Sequence, residues 1–291
     1  MKIVVLGAGG RLGAALVKSF ATKFNVAAFD HRQLDLADHA ALEKTIGDCD
    51  FEVAINCAAM TNVDLCESQR ERAFAINAEA PRRLAEICAR KKAKLIHLST
   101  DYVFDGEKRT PYDEEDAADP ISVYGESKLA GEQNVLAADP SHLVVRVSWV
   151  FGPERASFID GVIQRARSED RVEAIDDKIS APTYTADLAE VLPRFFERTP
   201  SFSGLLHFSN DGACSWQEYA QHALDCCREA EVALRAHAVV PVPLASMGKF
   251  VARRPIYSVL SVEKVASLAG ARPRPWRDAV RAYISDHIAK I

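Results

Sequence analysis

Tyr124-Gly125-Glu126-Ser127-Lys128 sets a phenol and an ammonium four residues apart. On a helix that spacing places both on one face, one turn apart. A free tyrosine titrates near ~10, too high for acid–base work at neutral pH. Lys128 is expected to stabilise the phenolate and lower that value. Tyr124 would then give a proton to a carbonyl oxygen while a hydride arrives from a cofactor. The lysine can also hydrogen-bond a nicotinamide ribose. Ser99-Thr100-Asp101-Tyr102 supplies hydroxyls able to polarise the same carbonyl. Either motif alone reads as ordinary structure. Their coupling to a glycine turn upstream makes the set specific.

That turn is Gly7-Ala8-Gly9-Gly10-Arg11-Leu12-Gly13, which follows an apolar strand at the N-terminus and opens a helix. Glycines there let the backbone approach a pyrophosphate, and the helix end supplies free N–H groups. The next strand ends at Asp30, followed by His31 and Arg32. An acid at this point accepts a ribose hydroxyl and favours NAD, whereas an arginine accommodates the extra phosphate of NADP. Both are present, so NADPH or NADH stays open. Asp35-Leu36 either holds the adenine edge or, for Asp35, caps a helix.

These groups need a frame. Apolar runs at Ile3–Leu6, Asn25–Phe29, Val53–Cys57, Leu95–Leu98 and Leu143–Val147 alternate with helical patterns at Arg11–Lys23, Ala40–Ile46, Glu67–Ala80, Pro81–Lys91 and Pro120–Ala137. Such alternation predicts an α/β fold, a Rossmann-type doubly wound parallel sheet. Ligands bind beyond the carboxyl ends of its strands, where the unusual residues cluster. After Val147 the pattern loosens: helices at Phe158–Arg167, Thr185–Glu197 and Ser215–Cys227, strands at Val172–Ile175 and Leu205–Phe208, an extended Val239–Pro243, and a last helix from Trp276 to the end. The expected division is a dinucleotide-binding domain over 1–150, with segments near 171–198 returning to it. A smaller, interleaved substrate domain would occupy 151–291.

The chain has 291 residues and a formal net charge of −5, which argues against a nucleic-acid surface or an anionic membrane as main partner. No apolar stretch is long enough to span a bilayer, and no signal peptide is read. The seven cysteines are Cys49, Cys57, Cys66, Cys88, Cys214, Cys226 and Cys227, without C-x-x-C. They fit small core residues in a reducing cytoplasm. The eight histidines show no metal-binding spacing, so no catalytic metal is expected. A structural magnesium at an oligomer contact and a homodimer are left open.

The chain resembles the extended short-chain dehydrogenase/reductases, and within them the dTDP-4-dehydrorhamnose reductases. The resemblance runs through Gly7 to Gly13, Asn56 to Thr61 with Val63-Asp64 and Glu67, and Ser99 to Gly106. It continues through Pro111-Tyr112 with Glu114, Tyr124 to Lys128, Gly131-Glu132, Arg146 to Gly152, Pro182-Thr183, Asp187 to Ala189, and Arg254-Pro255 with Ser258. It implies reduction of the 4-keto group of dTDP-4-dehydro-L-rhamnose to give dTDP-L-rhamnose. By position Thr100 polarises the carbonyl, Tyr124 donates the proton and Lys128 is its partner. Ala58, Ala59 and Thr61 lie along the cofactor. Val63, Asp101, Tyr102, Trp149 and Arg254 belong to the nucleotide-sugar, Arg254 near its diphosphate. The residue-level alternatives are a core role for Trp149, packing beneath the loop for Tyr102, pairing with an acid for Arg254, and a core or supporting role for His97.

The chain departs from the family at Pro153-Glu154-Arg155-Ala156-Ser157-Phe158, at Asp177-Lys178-Ile179-Ser180 and at Tyr257. All three fall where the nucleotide-sugar would sit, leaving its sugar and base open. The competing functions are an epimerase or dehydratase on another nucleotide-sugar, and a non-catalytic regulatory subunit resembling that of methionine adenosyltransferase. The intact Thr100, Tyr124 and Lys128 argue against the last.

Overall fold

In the computed structural model the described residues are 1–197, 202–248 and 250–289. The first half builds in sequence β1 (Lys2–Leu6), α1 (Arg11–Phe20), β2 (Asn25–Phe29), α2 (His39–Asp48) and β3 (Val53–Asn56). Then come α3 (Val63–Ser68), α4 (Arg70–Phe74), α5 (Ala80–Lys91), β4 (Lys94–Thr100), α6 (Val123–Ala138) and β5 (Leu143–Val147). All five strands join one parallel sheet. They are apolar along their length because helices cover both faces. One face packs Ile3, Val5, Ile55 and Val145 against Leu16 and Phe20 of α1. The other packs Val4, Leu6, Ala54 and Val144 against α2 and α5.

The helix expected over Glu67–Ala80 is instead α3 and α4, broken at Gln69 (φ −126°, ψ 50°). A π-helical turn at Ala75–Glu79 leads into α5, whose Pro81 lies in its first turn. Proline brings no N–H to the preceding turn. The irregular turn aims Asn77 inward, where it accepts from Met60 N at 2.8 Å and donates to Ser127 Oγ at 3.0 Å. The loop after β3 is thereby tied to α6.

Beyond β5 follow β6 (Val150–Phe151), α7 (Phe158–Ser168), β7 (Val172–Ile175), β8 (Ile179–Ser180), β9 (Thr183–Tyr184), α8 (Thr185–Val191), β10 (Gly204–His207), β11 (Cys214–Ser215) and α9 (Trp216–Glu229). The last elements are β12 (Val239–Val242), α10 (Glu263–Ala269) and α11 (Trp276–Tyr283). The main sheet takes β10 as its sixth strand, in the order β10-β5-β4-β3-β1-β2. Of the segment near 171–198, β7 does not return to that sheet. It pairs in parallel with β12 and packs in a second core with α7, α9 and α11. Only Thr185 onward comes back, with Leu188, Leu192 and Phe195 set against α1's face of the sheet. Val172 and Ala174 pack with the aromatic residues of α9 and α11, whereas Leu188 of α8 and the following Leu192 and Phe195 pack with α1. Residue 198, and residues 290–291 of the expected last helix, lie outside the described residues. No described helix is long and apolar enough to cross a membrane.

Candidate active site

A cleft of about 1280 Å³ runs along the carboxyl ends of β1 to β5. Its lining brings together nearly every side chain singled out from the sequence: Gly7, Gly9, Gly10, Arg11, Leu12, Asp30, His31, Arg32, Asp35, Leu36, Ala58, Ala59, Thr61, Val63, Thr100, Asp101, Tyr102, Tyr124, Lys128 and Trp149. Ser99, Ser148 and Arg155 line it as well. Arg254 is the exception and lies outside the lining.

At one end the wall is backbone. Gly7 sits at φ +78°, and a Cβ on it would come within 2.6 Å of Ala58 N. A Cβ on Gly13 would stand 2.2 Å from Gly7 O. Helix α1 starts at Gly10 with no side-chain cap and no acid in its first turn, so its leading N–H groups face the cleft unsatisfied. This cradle fits a dinucleotide pyrophosphate, and β-carbons would fill it. Asp30 stands in the same wall at the end of β2. Its carboxylate accepts from the N–H of Arg32 at 2.9 Å and of Gln33 at 3.1 Å, and pairs with the Arg32 guanidinium at 3.1 Å. His31 lies 3.7 Å from Asp35, which Arg72 also approaches.

At the centre stand Tyr124, Lys128 and Thr100. Ser122 caps α6 through Gly125 N, starting the helix so that Tyr124 and Lys128 share one face. Both side chains are buried. Lys128 Nζ donates to Leu98 O at 2.7 Å and lies 3.3 Å from His97 Nε2. Asn56 Oδ1 accepts from Ala58 N, leaving its amide N to donate to His97 Nδ1 at 3.1 Å. His97 is bracketed by the Asn56 amide and the Lys128 ammonium. Burial, and then the Lys128 cation, hold His97 well below its ordinary pKa. His97 is thus a neutral supporting residue. Burial draws Lys128 down to about 8, against the pull of Glu132 and Cys57.

The expected lowering of Tyr124 by Lys128 is absent. Burial pushes the phenol above its ordinary value, opposed by hydrogen bonding to Thr100. The ammonium is aimed at Leu98 O and His97 instead. Tyr124 is therefore a phenol, ready to donate, across the neutral range. Thr100 Oγ1 accepts from Tyr102 N at 3.2 Å and donates to Asp101 at 3.1 Å. Ser99 Oγ is buried in the cleft wall with no partner among the described residues. Such an orphan costs about 1–3 kcal/mol.

At the other end the wall is side chains from distant segments. Asp101 is 2% exposed and accepts from Ser258 Oγ at 2.6 Å and Ser180 Oγ at 3.2 Å. Burial raises its pKa, with Lys178 acting against this. Lys178 is fully buried, donates to Pro255 O at 2.7 Å and lies 5.1 Å from the centre of the Tyr102 ring. Tyr102 meets Tyr124 edge-on at 5.6 Å. Trp149 serves both readings: it lines the cleft, and its ring stacks on Tyr219 at 5.9 Å and meets Trp216 edge-on. It holds φ at +40°, a strained setting for a bulky residue.

Arg254 is committed elsewhere. Its guanidinium reaches Asp64 at 2.6 and 3.1 Å and covers the Phe250 ring. Asp64 also accepts from Val251 N and Ala252 N. These bonds hold its pKa down to about 2. Sequence order gave no sign of this carboxylate fastening a segment nearly two hundred residues away.

The family described as RmlD substrate binding domain matches residues 1–288. The dTDP-4-dehydrorhamnose reductase of Mycobacterium tuberculosis (strain ATCC 25618 / H37Rv) is 41% identical over 286 residues, 96% of this chain and 91% of that protein. Among solved structures, a dTDP-4-dehydrorhamnose reductase from Clostridium acetobutylicum gives a TM-score of 0.91 at 32% identity, covering 100% of both chains. The dTDP-4-dehydrorhamnose reductase of Bacillus anthracis in complex with NADP gives 0.89 at 30%, covering 97% of this chain and 98% of that one. The chain belongs to the dTDP-4-dehydrorhamnose reductase family.

Proposed function

We propose that this chain reduces the 4-keto group of a nucleotide-sugar with NADPH or NADH, converting dTDP-4-dehydro-L-rhamnose into dTDP-L-rhamnose. The observation that carries the reading is one cleft in which an uncapped glycine turn, a protonated Tyr124, Thr100 and Lys128 all meet. The cofactor, when bound, supplies the hydride. Gly7, Gly9, Gly10 and Leu12 hold its diphosphate, and Asp30, His31, Arg32, Asp35 and Leu36 its adenosine. Ala58, Ala59 and Thr61 line its length.

Tyr124 passes its phenolic proton to the carbonyl oxygen. Thr100 polarises that oxygen by swinging its own proton away from Asp101. The swing costs little because Ser258 and Ser180 still donate to Asp101. Lys128 holds its ammonium beside the reacting face. Val63, Asp101, Tyr102 and Trp149 surround the sugar. Arg254 reaches the substrate only by exchanging Asp64 for its diphosphate. Residues 1–150 with α8 and β10 form the cofactor lobe, and the remaining C-terminal segments the sugar lobe. The chain's seven free cysteines support a cytoplasmic site of action, with neither nucleic acid nor membrane as partner.

The test follows NADPH and NADH optically with enzymatically generated dTDP-4-dehydro-L-rhamnose. Oxidation that depends on the sugar is the expected result. A protein that binds dinucleotide yet oxidises none would refute this substrate.

A further inference from the structure

We infer that Lys178, behind the cleft wall, is a positioning residue: its buried ammonium is the countercharge that keeps Asp101 a carboxylate, and so holds Thr100 and Tyr102 in place for the reduction. In its kinetic part the inference rests on the function proposed above. Lys178 belongs to the stretch Asp177 to Ser180, where the chain departs from its family. It is fully buried and does not line the cleft. An ammonium taken out of water is costly unless it meets a charge of opposite sign. Its Nζ donates to Pro255 O at 2.7 Å and lies 5.1 Å from the centre of the Tyr102 ring.

Asp101 is the carboxylate in the same packed wall. Ser180, two residues on from Lys178, donates to it at 3.2 Å, and Ser258 donates at 2.6 Å. The two serines are held together by backbone: Ile179 N donates to Ile256 O at 2.7 Å, and Ser258 N to Ile179 O at 2.9 Å. As a carboxylate Asp101 accepts from Thr100, Ser180 and Ser258 at once. As an acid it would have to donate to one of them and unseat it. Thr100 would be disturbed along with Tyr102, whose N–H it accepts at 3.2 Å. Among the described residues Asp101 faces Lys178, the phenols of Tyr102 and Tyr124, and these three hydroxyls. Burial favours its acid form, and Lys178 is the first of the groups that oppose this. Lys178 faces Asp101 and, more weakly, the Arg254 guanidinium, which Asp64 pairs. Burial draws Lys178 down to about 8, so it is charged throughout the acid and neutral range.

The test is Lys178→Gln in the full chain, which keeps an N–H donor for Pro255 O and removes the charge. Turnover of the nucleotide-sugar with NADPH is followed across the acid and neutral range. Asp101 itself is followed by carboxyl-carbon NMR of aspartate-labelled protein, its signal assigned by its loss in Asp101→Asn. Removing an opposite charge disfavours the carboxylate, so Asp101 should titrate about one pH unit higher. Activity that needs the carboxylate is complete above its pKa and lost as pH falls through it. The acid limb of kcat/KM for the sugar should therefore move up equally, a loss of about ten-fold on that limb. The dinucleotide dissociation constant should stay within about two-fold. Lys178→Arg should restore the parental limb, and Lys178→Gln added to Asp101→Asn should move nothing further. Lys178→Met, also uncharged, should repeat the move and serves if the glutamine variant does not fold. An Asp101 signal and acid limb that stay in place overturn the inference. So does lost stability or dinucleotide affinity with the limb unmoved, which would assign Lys178 to packing alone. If the parent chain oxidises no dinucleotide with this sugar, the proposed function falls, while the Asp101 titration still decides whether Lys178 is its countercharge.

Discussion

The two ends of the cleft are built from different material. The cofactor end is backbone: Gly7 and Gly13 leave no room for side chains, and α1 offers uncapped N–H groups. The turn that builds it is one local string, Gly7 to Gly13. The end proposed for the sugar is side chains: Asp101-Tyr102 and Trp149 line it, Lys178, Ser180 and Ser258 support them, and the Asp64–Arg254 pair stands outside the lining. Asp101 is held by Ser180 and Ser258, Lys178 lies over the Tyr102 ring, and Trp149 packs on Tyr219 and Trp216. A backbone site of this kind recurs across Rossmann-type dinucleotide folds. A side-chain site can be rewritten at one position without touching the chemistry, so specificity is expected at that end.

The largest expected effect falls between the two ends. Tyr124→Phe removes the proton donor and should lower turnover about 10²–10⁴-fold, with dinucleotide affinity unchanged in a fluorescence titration. Loss of affinity as well would show that the ends are not separable. Next is Gly7→Ala, which forces a β-carbon against Ala58 N at a positive φ. It should cost about 1–3 kcal/mol of stability, read by thermal unfolding, and should erase the stabilisation that NADPH gives. A variant of parental stability would mean the cradle yields, contrary to the rigid end described here. Asp101→Asn should act at the sugar end alone, raising the nucleotide-sugar KM about ten-fold, with the dinucleotide constant unmoved. The smallest effect concerns Lys128, at the join. Burial lowers its pKa to about 8, so the ammonium is complete below that value and lost as pH rises through it. The kcat should therefore fall on an alkaline limb near pH 8. A flat profile to pH 9.5 would mean that the charge of Lys128 does not matter to the chemistry.

The same contrast explains what could be read from the sequence. Gly7 to Gly13, Ser99 to Tyr102 and Tyr124 to Lys128 are local strings whose spacing alone sets their geometry. The structure places them at strand ends around one cleft. Strand positions were legible because both faces of the sheet are covered and the runs are continuously apolar. The break at Gln69 and the π-helical turn at Ala75–Glu79 were not, because helical periodicity survives across both. Nor was the pairing of Val172–Ile175 with Val239–Val242, since a four-residue apolar run does not name its partner. The Asp64–Arg254 pair and the serines on Asp101 depend on tertiary packing alone. The direction of the Tyr124 shift was misjudged because sequence shows the lysine but not the burial, nor the carbonyl at which its ammonium points.

The crossing of the chain between lobes has a consequence for how the molecule is made. Gly204 of β10 pairs with Leu143 of β5, and α8 covers α1. A growing chain that ends near residue 150 carries the whole Gly7 to Gly13 turn with Thr100, Tyr124 and Lys128, yet it exposes β5 as an open edge and one face of the sheet uncovered. Such an intermediate invites pairing with other chains. The barrier to folding is set by closing long loops rather than by forming local helices. Limited proteolysis should accordingly yield no stable fragment corresponding to the first 150 residues, and the catalytic half should prove inseparable from the half that selects its substrate.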